Sequence, residues 1–222
     1  MSYNNQVAGL RANANGKNLE RAILDSLLIY RKEGVAFCDK TPEPVHQLSK
    51  MDRSGHFRAV YEKKAQPDFS GVWQGGWHVV FEAKNTNSKS IEKSRVTEAQ
   101  TWALDDSWDM GAICFVLVSF ELKRFYRVPW SVWRNMEGLF GKKSVNEKDL
   151  ILFSLEPFQK PGRPPVPLFD ELDDRFYNPR GHSPIYGPLF TKLPPAGWYG
   201  SEFEKKLSAL ERARRARLKD EV

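Results

Sequence analysis

The chain has 222 residues, enough for one sizeable core or for one domain plus an appendage. Hydrophobic residues make up 41% and charged residues 28%, an ordinary balance for a globular protein, and no stretch reaches the length of a membrane span. The formal net charge of +6 and a pI near 9.2 suit an acidic partner such as nucleic acid, or equally a plain solvated basic surface.

The N-terminus lacks an apolar signal core, so the expected location is the cytoplasm. Cys38 and Cys114 sit in apolar surroundings without a CxxC or Cys/His cluster, which predicts reduced core thiols and no structural zinc. No glycine-rich phosphate loop is present, so no nucleotide cofactor is expected.

Taken along the chain, residues 1–15, rich in Asn and Gly, are expected to form a mobile arm. The spacing of Leu19, Ile23, Leu27 and Tyr30 predicts a helix over 16–34, stopped by Gly34. A short buried strand follows at 35–40, then an irregular, Pro- and Gly-punctuated stretch at 41–55 and a weakly alternating one at 56–64. Residues 67–73 and 77–84 read as a hairpin, 85–95 as a polar loop, and 96–108 as a helix with Ala99, Trp102 and Ala103 on one side. Residues 111–120 form the clearest buried strand, 124–130 its neighbour, and 131–140 a helix with Ser131 as N-cap. Beyond 156 the chain turns Pro-rich and ends in a basic helix, 201–222, with a thin apolar stripe of Phe203, Leu207 and Leu210. The order describes an α/β protein, a mixed sheet flanked by helices.

The chemistry concentrates in the hairpin "QPDFSGVWQGGWHVVFEAK", residues 66–84. A two-residue loop, Gly75-Gly76, would place Asp68 on a face shared with Val79 and Phe81, where a bare carboxylate is costly. A three-residue loop, Gln74-Gly75-Gly76, sets Trp73 opposite Trp77 and Asp68 opposite Glu82. The side-chain period of two then sorts Phe69, Trp73, Trp77, Val79 and Phe81 to one face and Asp68, Glu82 and Lys84 to the other. In that register the two carboxylates stand roughly 5 Å apart at Cβ. Either a divalent cation joins them, Mg²⁺ or Mn²⁺ by the oxygen-only donor set, or they form a salt-bridge cluster with Lys84 on a solvated face.

Pro67-Asp68 followed by Glu82-Ala83-Lys84 resembles the PD-(D/E)xK nuclease pattern. The segments "GKNLE" (16–20), "KTPEPV" (40–45), "VYEKKAQPDFSGVWQGGWHVVFEAKNT" (60–86), "EAQ" (98–100) and "GAICFVLVSF" (111–120) occur in an order and spacing similar to the RecU Holliday junction resolvases and their phage-encoded relatives. The resemblance covers residues 16–155. It implies a restriction-endonuclease-like core with a protruding stalk at about 45–64, and a C-terminal extension, 156–222, without a counterpart. It also implies a homodimer, in a bacterial or phage-infected cell, that cuts opposed strands of a four-way DNA junction with Mg²⁺ or Mn²⁺. By the same resemblance Asp68 and Glu82 are metal ligands, the Ala83 carbonyl is a further one, and Lys84 is the catalytic lysine. Gln100 and Glu20 are expected to face the site, Glu20 being equally readable as a solvated helix residue. Gln66-Pro67 replaces the family's hydroxyl residues before the aspartate, and Glu98-Ala99 stands where a His often precedes the Gln.

Nucleic-acid contacts are expected from Lys17 and Lys40 flanking the groove, and from Arg53, Arg58, Tyr61, Lys63 and Lys64 on the stalk. Lys89, Lys93 and Arg95 suit the same role. The terminal helix either lies on DNA or packs on the body. Two other functions remain open on sequence grounds: a structure-tolerant or restriction-type DNA endonuclease of the same fold, and a non-catalytic architectural DNA-binding protein.

Overall fold

The computed structural model describes residues 3–42, 45–61, 66–155, 163–170 and 201–220. In chain order the elements are α1 (Tyr3–Lys32), β1 (Ala36–Lys40), β2 (Val45–Gln47), β3 (Ala59–Tyr61), β4 (Phe69–Trp73), β5 (Trp77–Thr86), β6 (Ser90–Glu92), α2 (Glu98–Asp109), β7 (Ile113–Phe120), β8 (Arg124–Pro129), α3 (Trp130–Arg134), α4 (Met136–Phe140), β9 (Ser144–Asn146), β10 (Ser154–Leu155) and α5 (Ser201–Asp220). Six strands form one sheet in the order β1-β4-β5-β7-β8-β10. Among the described strands only β5 and β7 pair in parallel, and α2 is the crossover between them. The architecture is the expected α/β one.

Alternation along the strands builds two cores. Phe69, Val79, Phe81, Ile113, Phe115 and Leu117 face α1 and meet Leu19, Ile23, Leu27 and Tyr30. Val80, Cys114, Val116 and Val118 face the other way, onto Leu104 and Trp108 of α2 and Trp130 and Trp133 of α3. Strand β7 is buried along its whole length, which is why its sequence is a continuous apolar run. Both cysteines are free and buried, as expected of core thiols. Among the described residues no helix is long and apolar enough to cross a membrane.

The predicted stripe of α1 is buried, and Gly34 ends the helix with φ +69°. The Val35 N–H donates to the Tyr30 carbonyl at 2.9 Å and the Gly34 N–H to the Arg31 carbonyl at 3.2 Å, a Schellman closure. The backbone is helical from Tyr3, in place of the expected arm at 1–15. That stretch contains no proline, and weak formers such as Asn cost only fractions of a kcal/mol per residue, roughly 1 for Gly.

Other expectations need correction. The inner face of α2 is Gln100, Leu104 and Trp108, while Trp102 is 62% exposed. The helix expected at 131–140 begins at Trp130, is broken at Asn135, and has no side-chain cap; Ser131 is buried inside it, its carbonyl accepting from Asn135 Nδ2 at 2.7 Å. Residues 85–95 are not all loop, because β5 runs to Thr86 and β6 pairs with β9 around buried Ile91. The core also does not end at 155. Val166, Leu168 and Phe169 join the α1-side cluster. Their segment is held by the Val166 N–H on Ser26 Oγ (2.9 Å) and by Arg127 Nη1 on the carbonyls of Leu168 (2.7 Å) and Asp170 (2.9 Å). The Tyr30 hydroxyl donates to Asp170 and accepts from the Phe169 N–H at 3.3 Å.

Gly71 marks where β1 presses on β4: a Cβ there would lie 2.1 Å from the Phe37 carbonyl oxygen and 2.4 Å from Cys38 Cα, both backbone. Gly71→Ala is therefore expected to destabilise the fold by about 2 kcal/mol or more in urea denaturation. Gly16→Ala, in a helical position with nothing within 4 Å of the new methyl, is expected to stabilise it by about 0.5–1 kcal/mol. Equal effects from the two would contradict this account of the β1–β4 contact.

Candidate active site

The hairpin turns through Gln74-Gly75-Gly76. Gly75 and Gly76 take φ of +86° and +85°, and the Gly76 N–H donates to the Trp73 carbonyl at 3.1 Å. The register pairs Trp73 with Trp77, Val72 with His78 and Phe69 with Phe81, as the three-residue loop predicts. The next step along the ladder brings Asp68 to Glu82. The Asp68 N–H donates to Glu82 Oε2 at 3.0 Å, and the Ala83 N–H donates to Asp68 Oδ2 at 3.1 Å. From the β1 side, the Thr41 N–H donates to the Asp68 carbonyl at 2.8 Å. Each carboxylate is thus fixed by the backbone of the strand opposite.

The solvated salt-bridge alternative is excluded by burial: Glu82 is fully buried and Asp68 only 7% exposed. Lys84 Nζ lies 2.6 Å from Glu82 Oε1, and Gln100 Nε2 donates to the same oxygen at 2.7 Å. Burial, with the negative charge of Asp68 second, raises the Glu82 carboxyl to about 7 even against the Lys84 ammonium. Two adjacent carboxylates with Lys84 beside them are a donor set that could hold a hard divalent cation. Among the described residues no group of three or more His, Cys, Asp or Glu side chains is placed to hold a metal.

Gln100 has a second role that sequence reasoning missed. It is the third residue of α2, and its Oε1 accepts from the Thr97 N–H (3.1 Å) and the Thr97 hydroxyl (3.2 Å). Thr97 Oγ1 in turn accepts the Gln100 N–H at 3.3 Å, completing a capping box. With its oxygen committed to the cap, the amide can offer only Nε2 to Glu82. The signal is present as Thr97-Glu-Ala-Gln100, the T-x-x-Q spacing of such a box.

The remaining expected residues scatter. Glu20 is engaged by Lys40 Nζ at 2.6 Å, so the acid expected to face the carboxylate pair and the lysine expected on DNA neutralise each other. Lys40 pairs with Phe69 in the ladder, one residue from Asp68, so this ion pair borders the site. Lys17 is exposed on α1. The segment expected to form the stalk contains the β2–β3 hairpin, with Tyr61 opposite Val45 and with Arg53 and Arg58 exposed. Leu48, Met51 and Phe57 are exposed on it as well. Lys63 and Lys64 lie outside the described residues. Lys93 is turned inward, its Nζ donating to the Arg134 carbonyl at 2.6 Å, while Lys89 is exposed.

The family model for Recombination protein U matches residues 14–159. Holliday junction resolvase RecU of Streptococcus gordonii is 33% identical over 121 residues, 51% of this chain and 60% of that protein. The protein of the same name from Bacillus pumilus is 29% identical over 146 residues, 61% of this chain and 69% of the relative. The one from Geobacillus sp. is 31% identical over the same length, covering 71% of the relative. The first relatives are thus spanned over about 60% of their length. Hjc of Archaeoglobus fulgidus superposes with a TM-score of only 0.38 at 14% identity, covering 64% of this chain and 91% of Hjc, too slight a likeness to add to the assignment.

Two outcomes follow from the geometry. Glu82 keeps its proton in the fold up to about pH 7 but loses it near 4.5 when unfolded. The unfolded chain therefore binds fewer protons in that window, and stability falls as pH rises from about 4.5 to 7. Without divalent metal the loss from this group should be on the order of 3 kcal/mol, read from urea midpoints across pH 4.5–8. Glu82→Gln should flatten the slope, and an unchanged slope would refute the assignment. Thr97→Ala should weaken α2 by about 1 kcal/mol, with Thr97→Ser close to wild type in thermal melts.

Proposed function

Because this chain belongs to the RecU family, we propose that it is a divalent-metal-dependent endonuclease that resolves four-way DNA junctions. The observation that carries the reading is the buried meeting of Asp68 and Glu82 across the β4–β5 ladder, with Lys84 Nζ 2.6 Å from Glu82. Asp68, Glu82 and the Ala83 carbonyl are the groups that would hold Mg²⁺ or Mn²⁺. Such an ion would supply Lewis acidity and a water of lowered pKa.

The protein's own groups do the rest. The backbone N–H bonds from Asp68 and Ala83 keep both carboxylates in place before DNA arrives. Gln100 holds the Glu82 side chain from α2. Lys84, whose side chain retains 16% exposure where Glu82 has none, is positioned to donate to a phosphoryl oxygen and to stabilise the charge that grows there. Exposed Arg53 and Arg58 on the stalk, with Lys17 on α1, supply backbone-directed charge, which suits recognition of junction shape over sequence. Paired cuts on opposed strands call for two copies of the site, so the reading includes a symmetric homodimer. The bacterial relatives bear the same resolvase name, which supports action on DNA in the cytoplasm.

The test is cleavage of a mobile four-way junction beside a linear duplex of equal length, with Mg²⁺ or with EDTA. Paired nicks in the junction alone, dependent on the metal, are expected. Asp68→Asn should lower the rate about a thousandfold or more, and Lys84→Ala about a hundredfold or more, while junction binding persists. Equal cutting of the linear duplex would indicate a restriction-type enzyme. Binding without cleavage by the wild type would indicate an architectural protein.

A further inference from the structure

Helix α5 lies wholly beyond residues 14–159, the span matched by the family model, and its two halves differ in kind. The first half is a docking element. Phe203 packs against Phe140 (6.1 Å between ring centroids) and Phe153 (6.5 Å), and Leu207 and Leu210 join the α2-side core. Lys206 Nζ donates to the Leu139 carbonyl near the end of α4 at 2.8 Å. Leu210 closes on Gly138 so tightly that a Cβ there would meet its Cδ2 at 2.8 Å.

After Leu210 the character changes. The stretch "RARRARLK", 212–219, carries five cations in eight residues with no acid among them, and the backbone stays helical to Asp220. Arg212 is exposed. At 1.5 Å per residue the run spans about 10 Å, a length that covers roughly three phosphates of one DNA strand. Its position is set by the docked half. Leu210 and Ala213 line a groove of about 850 Å³ that Glu98, Thr101 and Trp102 of α2 line as well. Thr101 directly follows Gln100, the residue that grips Glu82. The basic run therefore begins at a groove shared with the N-terminal half of α2, the half that carries Gln100.

We propose that α5 is a clamp for a duplex arm: its apolar half fixes it to α3 and α4, and residues 212–219 bind DNA phosphates beside the site. The inference deepens the nuclease reading and rests on it for the identity of the DNA. The groove is also lined by Glu92, Glu98 and Glu137, and pairing with these acids is the competing outcome for the basic run.

The experiment separates these possibilities. Full-length protein carrying Asp68→Asn, with and without the five changes Arg212→Gln, Arg214→Gln, Arg215→Gln, Arg217→Gln and Lys219→Gln, is titrated onto a labelled four-way junction in EDTA from 50 to 300 mM KCl. Removing one cation–phosphate pair reduces the slope of log K against log salt by about 0.9, so a fall of between about 2 and 4.5 is expected, with an unchanged melting temperature. An unchanged slope with a lowered melting temperature would overturn the proposal in favour of pairing with the groove acids. An unchanged slope and an unchanged melting temperature would overturn it in favour of a solvated helix. The same five changes in the Asp68 protein, assayed for cleavage at low salt, keep the two readings apart. Cleavage with an unchanged salt slope sinks the clamp alone, whereas absence of cleavage in every version sinks the nuclease reading and leaves the slope to report on α5.

Discussion

Two carboxylates held together out of water repel each other, and the site is organised around that repulsion. Asp68 and Glu82 are not free to separate. The strand carrying each donates a backbone N–H to the other's side chain, so the pairing register itself forces them together. Lys84 offsets part of the charge, yet burial and Asp68 still hold the Glu82 proton to about pH 7. On the proposed reading, a hard divalent ion would bridge the two carboxylates where a single ammonium cannot.

The rest of the molecule serves this geometry. The turn at Gln74–Gly76 sets the register, and stacking of Phe69, Phe81 and Phe115 at 4.9 and 4.8 Å locks the opposite face of the same strands. Helix α2 crosses from β5 to the parallel strand β7 and brings Gln100 over Glu82. The cap that starts this helix also aims the Gln100 amide, so a local helix signal and a site contact are one feature. On the other side of the sheet, the segment 163–170 fastens α1 through Ser26 and Tyr30. It thereby supports the wall on which Phe69 and Phe81 rest, beyond the span shared with the family.

What is legible in the sequence is what period and turn chemistry determine. The aromatic face of the hairpin, the stripe of α1 and the continuous apolar run of β7 each have one arrangement that keeps charge out of the core. What escapes is polar or aperiodic. An inner face led by Gln100 does not look apolar, so hydrophobicity along α2 points to Ala99, Trp102 and Ala103 instead. The break at Asn135 leaves no proline or glycine to announce it. The segment 163–170 has no period, because extended proline-rich chain buries side chains one by one and satisfies its backbone with Arg127 and Ser26. The neutralisation of Glu20 by Lys40 depends on β1 lying beside α1, which neither residue reveals alone.

The proposed function makes the Asp68–Glu82 pair a cation site before any DNA is bound. Isothermal titration of Mn²⁺ into the DNA-free protein near pH 7.5 tests it most directly. Saturable binding to the wild-type chain is expected, with at least about a hundredfold loss of affinity in either Asp68→Asn or Glu82→Gln. Wild-type affinity in both variants would contradict the account.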